Sequence, residues 1–321
     1  MMVTPRRGGP ATGPAGGAPV LLADFNPDDG YLDTLEMPFG DAALNLGIGP
    51  IGMRLEGLSR SQAARLADRF RPFVRAGAPP AGSWPDLVIR LQRAPVEHFL
   101  APPNGRPEVY RMGRRAVGER LVIWSYEFAG WVEARSRAAL LALVAPDGAL
   151  FERGLENFLR VMTARFILAR GGLLLHGAGV VRAGRAYVFF GPSGSGKTTV
   201  TEVSPDDTIL SDDLTLIVPL DGAYQAAGIP FGMAHHRTPQ SGSSYPIASL
   251  NRLLQSSEVG LERIAGARAL AELSGSLPFV MQDPAEAARA LAAAQRVVDT
   301  VPVGRLKFRR DASFWKAVEA G

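Results

Sequence analysis

The chain has 321 residues, of which 46% are hydrophobic and 21% are charged, a composition typical of a soluble globular protein with one large or two modest domains. No apolar run reaches the ~18 residues that a membrane-spanning helix needs, and the formal net charge of +4 is too small to predict a nucleic-acid partner, so we expect neither a membrane segment nor nucleic-acid binding. The absence of cysteine excludes disulfides and thiolate metal sites and is compatible with the cytoplasmic location that we expect.

Residues 1–20 contain five Gly and four Pro and almost no large apolar side chain. Such a segment buries too little surface to offset its ordering entropy, so it is predicted to be a disordered tail. The Arg6-Arg7 pair is not followed by an apolar segment, so a twin-arginine export signal is not predicted.

Residues 21–149 are predicted to form a smaller α+β domain. Ala43–Leu55 alternates in the manner of strands with turn-forming Gly and Pro inside it, and Ser59–Val74 has helical spacing with Ser59 or Ser61 as N-cap. Further strands are predicted at Asp86–Leu91, Glu108–Met112, Leu121–Phe128 and Trp131–Ala134. The aromatic residues of this region, Trp84, Trp124, Tyr126 and Trp131, are interpreted as core or interface residues.

Residues 150–321 are predicted to form a nucleotide-binding domain. Leu150–Ala169 has an apolar helical stripe, and short segments that alternate between strand and helix patterns follow it. These are strands at Leu173–Val181, Arg185–Phe190, Thr208–Leu210, Leu214–Pro219 and Ala223–Ala226, and a helix at Lys197–Glu202.

The C-terminal third is predicted to be mostly helical. One helix is expected from Ser256 or Ser257 through Leu273, a second from Pro284 to about Arg296, and a last one over Ala312–Ala320. Val297–Phe308 is predicted to form strand segments around a Gly turn. The basic cluster Arg305, Lys307, Arg309 and Arg310 is interpreted as a solvated face.

The clearest motif is GPSGSGKTT at residues 191–199, which matches G-x-x-x-x-G-K-[ST]. It follows an apolar strand and precedes a helix-compatible segment, which is the context that a phosphate-binding loop requires. Backbone amides of such a loop surround the phosphates of a nucleotide, the lysine reaches the β- and γ-oxygens, and the hydroxyl after it ligates Mg²⁺. The predicted nucleotide-binding residues are Gly191, Ser193, Gly194, Ser195, Gly196, Lys197, Thr198 and Thr199.

Two further elements surround this loop in the sequence. Asp212 and Asp213 end an apolar strand, where paired carboxylates suit Mg²⁺ binding and acid–base chemistry. His176 lies in an apolar strand that pairs naturally with the strand entering the loop, so its imidazole is expected at the same mouth. A lone His in such a strand is otherwise typical of a satisfied core residue.

Together these elements resemble the catalytic domain of HPr kinase/phosphorylase, a bacterial serine kinase related in fold to phosphoenolpyruvate carboxykinase. More closely, LHGAGVV, GRAYVFFGPSGSGKTT, LSDD and Pro230-Phe231-Gly232 are similar to the HPr kinase-related kinases often called kinase A. The resemblance covers roughly residues 170–232. It implies an α/β catalytic domain of the PEP carboxykinase/HPr kinase-like P-loop class, preceded by a smaller α+β domain.

The resemblance also implies roles. Lys197 would neutralise the phosphates of ATP, Thr198 and Asp213 would hold Mg²⁺, Asp212 would be the general base, and His176 would line the acceptor side. The Arg-containing signature that HPr kinases carry after the Asp pair is not found in this sequence. His235-His236-Arg237 is interpreted either as a surface loop or as a contact to a phosphate, and in the second case Arg237 is the best available replacement.

The acceptor is less defined by sequence. The resemblance implies a protein or peptide hydroxyl, with a PqqD-type peptide chaperone as a possible partner, and leaves the formation of a homo-oligomer open. A metabolite kinase and a P-loop ATPase or switch are the alternatives. Ser241, Ser243, Ser244 and Tyr245 form a polar segment that could close over the acceptor.

Overall fold

The computed structural model describes residues 29–76, 85–94, 112–144, 148–231 and 243–320. The predicted tail at residues 1–20, Trp84, nearly all of the strand predicted at Glu108–Met112, and the His235-His236-Arg237 segment lie outside the described residues. The described part of the chain forms a mixed α/β structure built on two mixed sheets. No helix in it is long and apolar enough to cross a bilayer.

The first sheet has seven strands. They are β1 (Ala42–Ile48), β2 (Ile51–Leu58), β3 (Leu87–Ala94), β4 (Gly113–Val117), β5 (Arg120–Trp124), β6 (Phe128–Glu133) and β7 (Ala138–Val144). Their order is β1-β2-β3-β7-β6-β5-β4, and only the β2–β3 and β3–β7 pairs are parallel. The sequence prediction missed β4 and β7. A short helix, α1 (Asp29–Asp33), precedes the sheet.

Helix α2 (Arg60–Arg69) connects β2 to the rest of the first sheet. Ser59 is its N-cap: the Ser59 side chain accepts a hydrogen bond from the Gln62 amide, and the Gln62 side chain accepts one from the Ser59 amide. The helix was predicted to continue to Val74, but it ends at Arg69 and a 3₁₀ turn follows over Arg71–Phe73. Pro72 explains the early end, because proline cannot donate the hydrogen bond that an α-helix needs there.

Helix α3 (Ala149–Ala169) lies between the two sheets and confirms the predicted helix. Its apolar stripe is buried, and the helix contacts β2, β6 and β7 on one side and β8 (Leu173–Arg182) on the other. One apolar cluster therefore runs from the first sheet through α3 into the second. Trp124, Tyr126 and Trp131 are buried in a separate cluster of the first sheet, which confirms them as core aromatics.

The second sheet has eight strands. After β8 these are β9 (Arg185–Phe190), β10 (Thr208–Ser211), β11 (Leu214–Leu220), β12 (Ala223–Ala227), β13 (Ser244–Gln255), β14 (Gly260–Ile264) and β15 (Val303–Phe308). The helices of this half are α4 (Lys197–Glu202), α5 (Gly266–Ser274), α6 (Pro284–Thr300) and α7 (Phe314–Ala320). The bounds of β9 and α4 agree with the prediction.

The two long strands of this sheet each pair with different neighbours along their length. In β8, Leu173–His176 pairs with β11, whereas residues from Gly177 onward pair with β9. In β13, the first residues pair with β12 and the following ones with β9 and β15. Strands β8, β9, β13, β12 and β11 therefore form a closed ring. The fork in β8 falls between His176 and Gly177, beside the end of β9.

The C-terminal third is less helical than predicted. Strand β14 lies where a helix was expected, and α5 begins only at Gly266. Val297–Thr300 continues α6 rather than forming a strand, and Gly304 lies inside β15 rather than in a turn. β15 pairs with both β13 and β14, from which it is distant in sequence, and such long-range pairing outweighs local propensity.

Candidate active site

The phosphate-loop sequence connects β9 to α4. Gly196 is the N-cap of α4 with a φ of +106°, a left-handed conformation that favours glycine. A Cβ atom at this position would lie 2.4 Å from Cζ of the buried Phe308. Both the backbone conformation and the packing of β15 therefore require glycine here.

Lys197 folds back over the loop. Its Nζ donates hydrogen bonds to the backbone oxygens of Gly191 at 3.0 Å and Pro192 at 3.1 Å, and the residue is only 8% exposed. Burial lowers the pKa of Lys197 from its ordinary value of 10.5, while Asp213 opposes the shift and Arg252 adds to it. An anion bound at the loop would therefore stabilise the charged amine.

Asp212 and Asp213 form the turn between β10 and β11. The turn is held by the Ser211 hydroxyl, which accepts hydrogen bonds from the amides of Asp213 at 3.2 Å and Leu214 at 3.1 Å. The Asp212 side chain is buried, and its Oδ1 has no hydrogen-bond partner among the described residues. The Asp213 side chain is about half-buried and turns toward β8.

His176 reaches Asp213 from the fork in β8. Its Nε2 lies 3.1 Å from Asp213 Oδ1, and its backbone amide donates to the Ser276 oxygen at 2.8 Å. The hydrogen bond from His176 is the main cause that lowers the pKa of Asp213; burial opposes it, and the charges of Arg160 and Lys197 support it. The predicted hairpin of β8 and β9 is thus present, and it brings the imidazole to the mouth of the loop.

One cleft of about 630 Å³ collects most of the predicted site residues. Those that line it are His176, Ser193, Gly194, Gly196, Lys197, Thr198, Thr199, Asp212 and Asp213. The remaining two lie in the loop wall: Gly191 accepts the Lys197 hydrogen bond, and Ser195 is buried with an unpartnered Oγ within the described part of the chain. Residues that are 36 positions apart in sequence therefore share one surface, from His176 to Asp212.

Five further residues line the cleft and were not predicted as site residues: Arg69, Glu156, Arg160, Gln255 and Arg310. The Gln255 Nε2 donates to the Gly194 oxygen at 2.7 Å, which ties the tip of the loop to the end of β13. Arg310 belongs to the basic cluster that was interpreted as a solvated face. The spacing of Glu156 and Arg160, one helical turn apart on the polar face of α3, was the available sequence signal.

Helix α2 of the first sheet also reaches this cleft. Arg69 Nε lies 2.7 Å from Glu156 Oε1, and Arg69 Nη1 lies 3.4 Å from Glu152 Oε2. Arg65 Nε adds a contact to Glu152 Oε1 at 2.9 Å. These ion pairs attach α2 to α3, so residues 21–149 contribute a wall of the cleft; their folding as a separate domain stays a prediction.

The donor set of the cleft fits a nucleotide with Mg²⁺. No group of three or more His, Asp or Glu residues with metal-site geometry occurs in the described ranges. Mg²⁺ bound with a nucleotide needs only one or two protein ligands, because phosphates and waters complete its shell. The exposed Thr198 and the half-buried Asp213 carboxylate could supply such ligands, and the buried Ser195 Oγ and Asp212 Oδ1 have no hydrogen-bond partner in the described part of the chain.

A second cavity lies away from this chemistry. It measures about 160 Å³ and is lined mainly by apolar residues of β5, β6 and α3 with Arg165, Glu286 and Arg289. Glu286 is shared by Arg165 and by Arg114, whose Nη1 lies 3.2 Å from Glu286 Oε2. The charged residues of this cavity thus form a structural ion-pair cluster. Its lining contains neither the glycine-rich loop nor a carboxylate that lacks a partner among the described residues.

The C-terminal half of the chain is similar to a known protein family. A model of the family described as "SynChlorMet cassette protein ScmC" matches residues 157–320. The matched segment is slightly more than half of the chain, and it contains His176, the phosphate-loop sequence and the Asp pair. No curated protein matches the chain.

Proposed function

The chain belongs to the ScmC family of SynChlorMet cassette proteins, and within that family we propose that it is an ATP-dependent kinase. Its acceptor is the hydroxyl of a serine side chain in a protein or peptide. The name of this family states no activity, and the support for a kinase comes from the residues of the cleft. We further infer that residues 150–321 have the PEP carboxykinase/HPr kinase-like P-loop fold that the sequence resemblance implies.

One observation carries the proposal. The buried Asp212 carboxylate, with its unpartnered Oδ1, lines the same cleft as Lys197 and the glycine-rich loop. A buried carboxylate oxygen without a donor is costly unless a ligand supplies one. The hydroxyl of an acceptor is such a donor, and it would lie beside Lys197 and the glycine-rich loop, which are suited to bind nucleotide phosphates.

The proposed mechanism assigns each side chain a task. The loop amides and Lys197 bind the phosphates, with Lys197 exchanging its contacts to the Gly191 and Pro192 oxygens for phosphate oxygens. Mg²⁺, which Thr198 and Asp213 would hold, supplies charge neutralisation on the phosphates. His176 fixes the Asp213 carboxylate through its Nε2–H hydrogen bond.

Asp212 acts on the acceptor. Its Oδ1 takes the proton of the acceptor hydroxyl as the hydroxyl oxygen forms a bond to the γ-phosphorus. The bond between the γ-phosphorus and the bridging oxygen of ADP breaks, and the negative charge leaves with ADP. Positioning and charge stabilisation account for most of the catalysis in this chemistry, which matches a site built from Lys, Arg and carboxylates.

The rim of the cleft supports a macromolecular acceptor. Ser193, Gly194, Thr198 and Arg310 line the cleft and are all solvent-exposed. A small metabolite is typically enclosed by its site, whereas a peptide needs an accessible mouth. A PqqD-type chaperone that presents the peptide is the partner we propose from the sequence resemblance.

The experiment compares γ-labelled with α-labelled ATP. The protein is incubated with each nucleotide and Mg²⁺ in host extract, and the products are separated by size. We expect a macromolecule that carries label from γ-labelled ATP only, and no such product from Lys197→Met protein. Label confined to small molecules, or release of free phosphate alone, would contradict the proposal and favour a metabolite kinase or an ATPase.

A further inference from the structure

Arg160 is a cleft residue whose hydrogen-bonding capacity is largely unused. It lies on α3, and its side chain is 22% exposed. Its nearest carboxylate contact joins Nη2 to Glu156 Oε2 at 3.9 Å, which is too long for a hydrogen bond. Its Nε is buried and has no hydrogen-bond partner within the part of the chain that the structure describes.

Glu156 does not neutralise Arg160, because it is already paired. The Oε1 atom of Glu156 accepts hydrogen bonds from both Nε and Nη2 of Arg69, with the Nε contact at 2.7 Å. Arg160 is part of α3, and its guanidinium lies over the ring of Phe231, whose centroid is 5.8 Å from the guanidinium carbon. The guanidinium is therefore held in place without a hydrogen bond to a carboxylate of the described residues.

The other cations of the cleft differ in this respect. Lys197 donates to two loop oxygens, Arg69 is paired with Glu156, and Arg310 is solvent-exposed. A partly buried guanidinium whose buried Nε–H lacks a partner is costly in a protein unless an anion binds to the group. Arg160, Lys197 and Asp213 line the same cleft, and both cations act electrostatically on the Asp213 carboxylate.

We propose that Arg160 takes the role of the arginine that is missing after the Asp pair, and that its guanidinium binds the terminal phosphoryl group of the bound nucleoside triphosphate. The inference rests on the proposed function, because it assumes that the cleft binds nucleotide. A planar guanidinium donates two parallel hydrogen bonds to phosphoryl oxygens and neutralises the charge that spreads over them during transfer. The sequence prediction sought this arginine after the Asp pair; Arg160 lies before the loop, on the helix that joins the two sheets.

The test measures triphosphate and diphosphate binding separately. Titration calorimetry gives the Kd of Mg·ADP and of the non-hydrolysable analogue Mg·AMP-PNP for wild type, Arg160→Met and Arg65→Met. Arg65 is the matched control, because it contacts α3 through Glu152, loses the same charge, and does not line the cleft.

We expect Arg160→Met to weaken Mg·AMP-PNP about tenfold or more, the effect of losing a charge-assisted hydrogen bond. The Kd of Mg·ADP should change less than about twofold, and Arg65→Met should change neither. Arg160→Lys keeps the charge but loses the planar fork, so it should retain part of the preference for triphosphate. This second variant also serves if Arg160→Met fails to fold.

Two results would overturn the inference and leave the proposed function standing. One is equal weakening of both nucleotides by Arg160→Met, and the other is an unchanged Kd for Mg·AMP-PNP. If wild-type protein binds neither nucleotide, the proposed function itself fails, and the inference fails with it.

Discussion

Replacing Lys197 with methionine should separate nucleotide binding from folding. In the folded chain the ammonium group makes two hydrogen bonds to loop oxygens, but it is also largely removed from water. Methionine keeps the aliphatic length and removes the cost of burying the charge, but the buried Gly191 oxygen loses a hydrogen-bond donor. Because these two effects oppose each other, we expect the free energy of unfolding to change by less than about 2 kcal/mol.

Nucleotide binding should change far more. Loss of charge-assisted contacts to the phosphates, about 1.5–3 kcal/mol each, raises the Kd of Mg·ATP roughly tenfold to 100-fold. At a nucleotide concentration of 100 times the wild-type Kd, binding stabilises wild-type protein by about 2.7 kcal/mol. The same concentration should stabilise Lys197→Met by only about 0.4–1.4 kcal/mol.

The assay is thermal unfolding with and without Mg·ATP. At roughly 2 °C per kcal/mol for a chain of this size, the Tm should rise by about 5 °C for wild type and by less than about 3 °C for the variant. Lys316→Met is the control, since Lys316 is exposed on α7 and outside the cleft. A variant that melts like wild type and gains the full shift from Mg·ATP would refute this reasoning.

Two further predictions concern the loop. Gly196→Ala should destabilise the fold by about 2–5 kcal/mol in urea unfolding, because φ is +106° and the new Cβ would meet Phe308. Gly194→Ala, at a φ of +77° with open space around it, should cost only about 1–2 kcal/mol, and equal losses for the two variants would contradict the packing argument. Burial lowers the pKa of Lys197 below 10.5, so this amine loses its charge at a lower pH than an ordinary lysine. Calorimetry between pH 7 and 10 should therefore show that the affinity of wild type for Mg·ATP falls as the pH rises. Lys197→Met should show no such loss, and parallel slopes would exclude Lys197 as its origin.

The centre of the site was predictable because its signals are local. The run from Arg185 to Glu202 combines a short apolar strand, a glycine-rich loop and a helix start, and the structure has β9 and α4 at those bounds. His176 could be placed as well, because an antiparallel hairpin fixes which residue of β8 lies opposite the end of β9. The roles of these residues in phosphoryl transfer stay predictions.

The walls of the cleft could not be predicted in the same way. Arg69 and Arg160 lie on different helices, and they meet only because α2 docks on α3 through ion pairs to Glu152 and Glu156. Each of these residues alone is typical of a solvated helix face. Their meeting depends on tertiary packing, which neither periodicity nor spacing within one helix encodes.

The errors in the C-terminal third have a related cause. β13 includes polar residues such as Asn251 and Arg252, and its burial does not alternate simply, because it pairs with β12 at one end and with β9 and β15 further along. A strand in the middle of a sheet is stabilised by ladders from both sides, whatever its local pattern. The segment therefore lacked the period-two signal by which strands are predicted.

The measurement that tests the central claim most directly concerns Asp212. Wild type, Asp212→Asn and the control Asp206→Asn, whose carboxylate is exposed outside the cleft, are compared for Mg·ATP binding by calorimetry and for transfer of label from γ-labelled ATP. We predict that Asp212→Asn binds Mg·ATP within about threefold of wild type and loses transfer by roughly 10²- to 10⁴-fold, as expected for a general base. Normal transfer by Asp212→Asn, with Asp206→Asn also normal, would contradict the account.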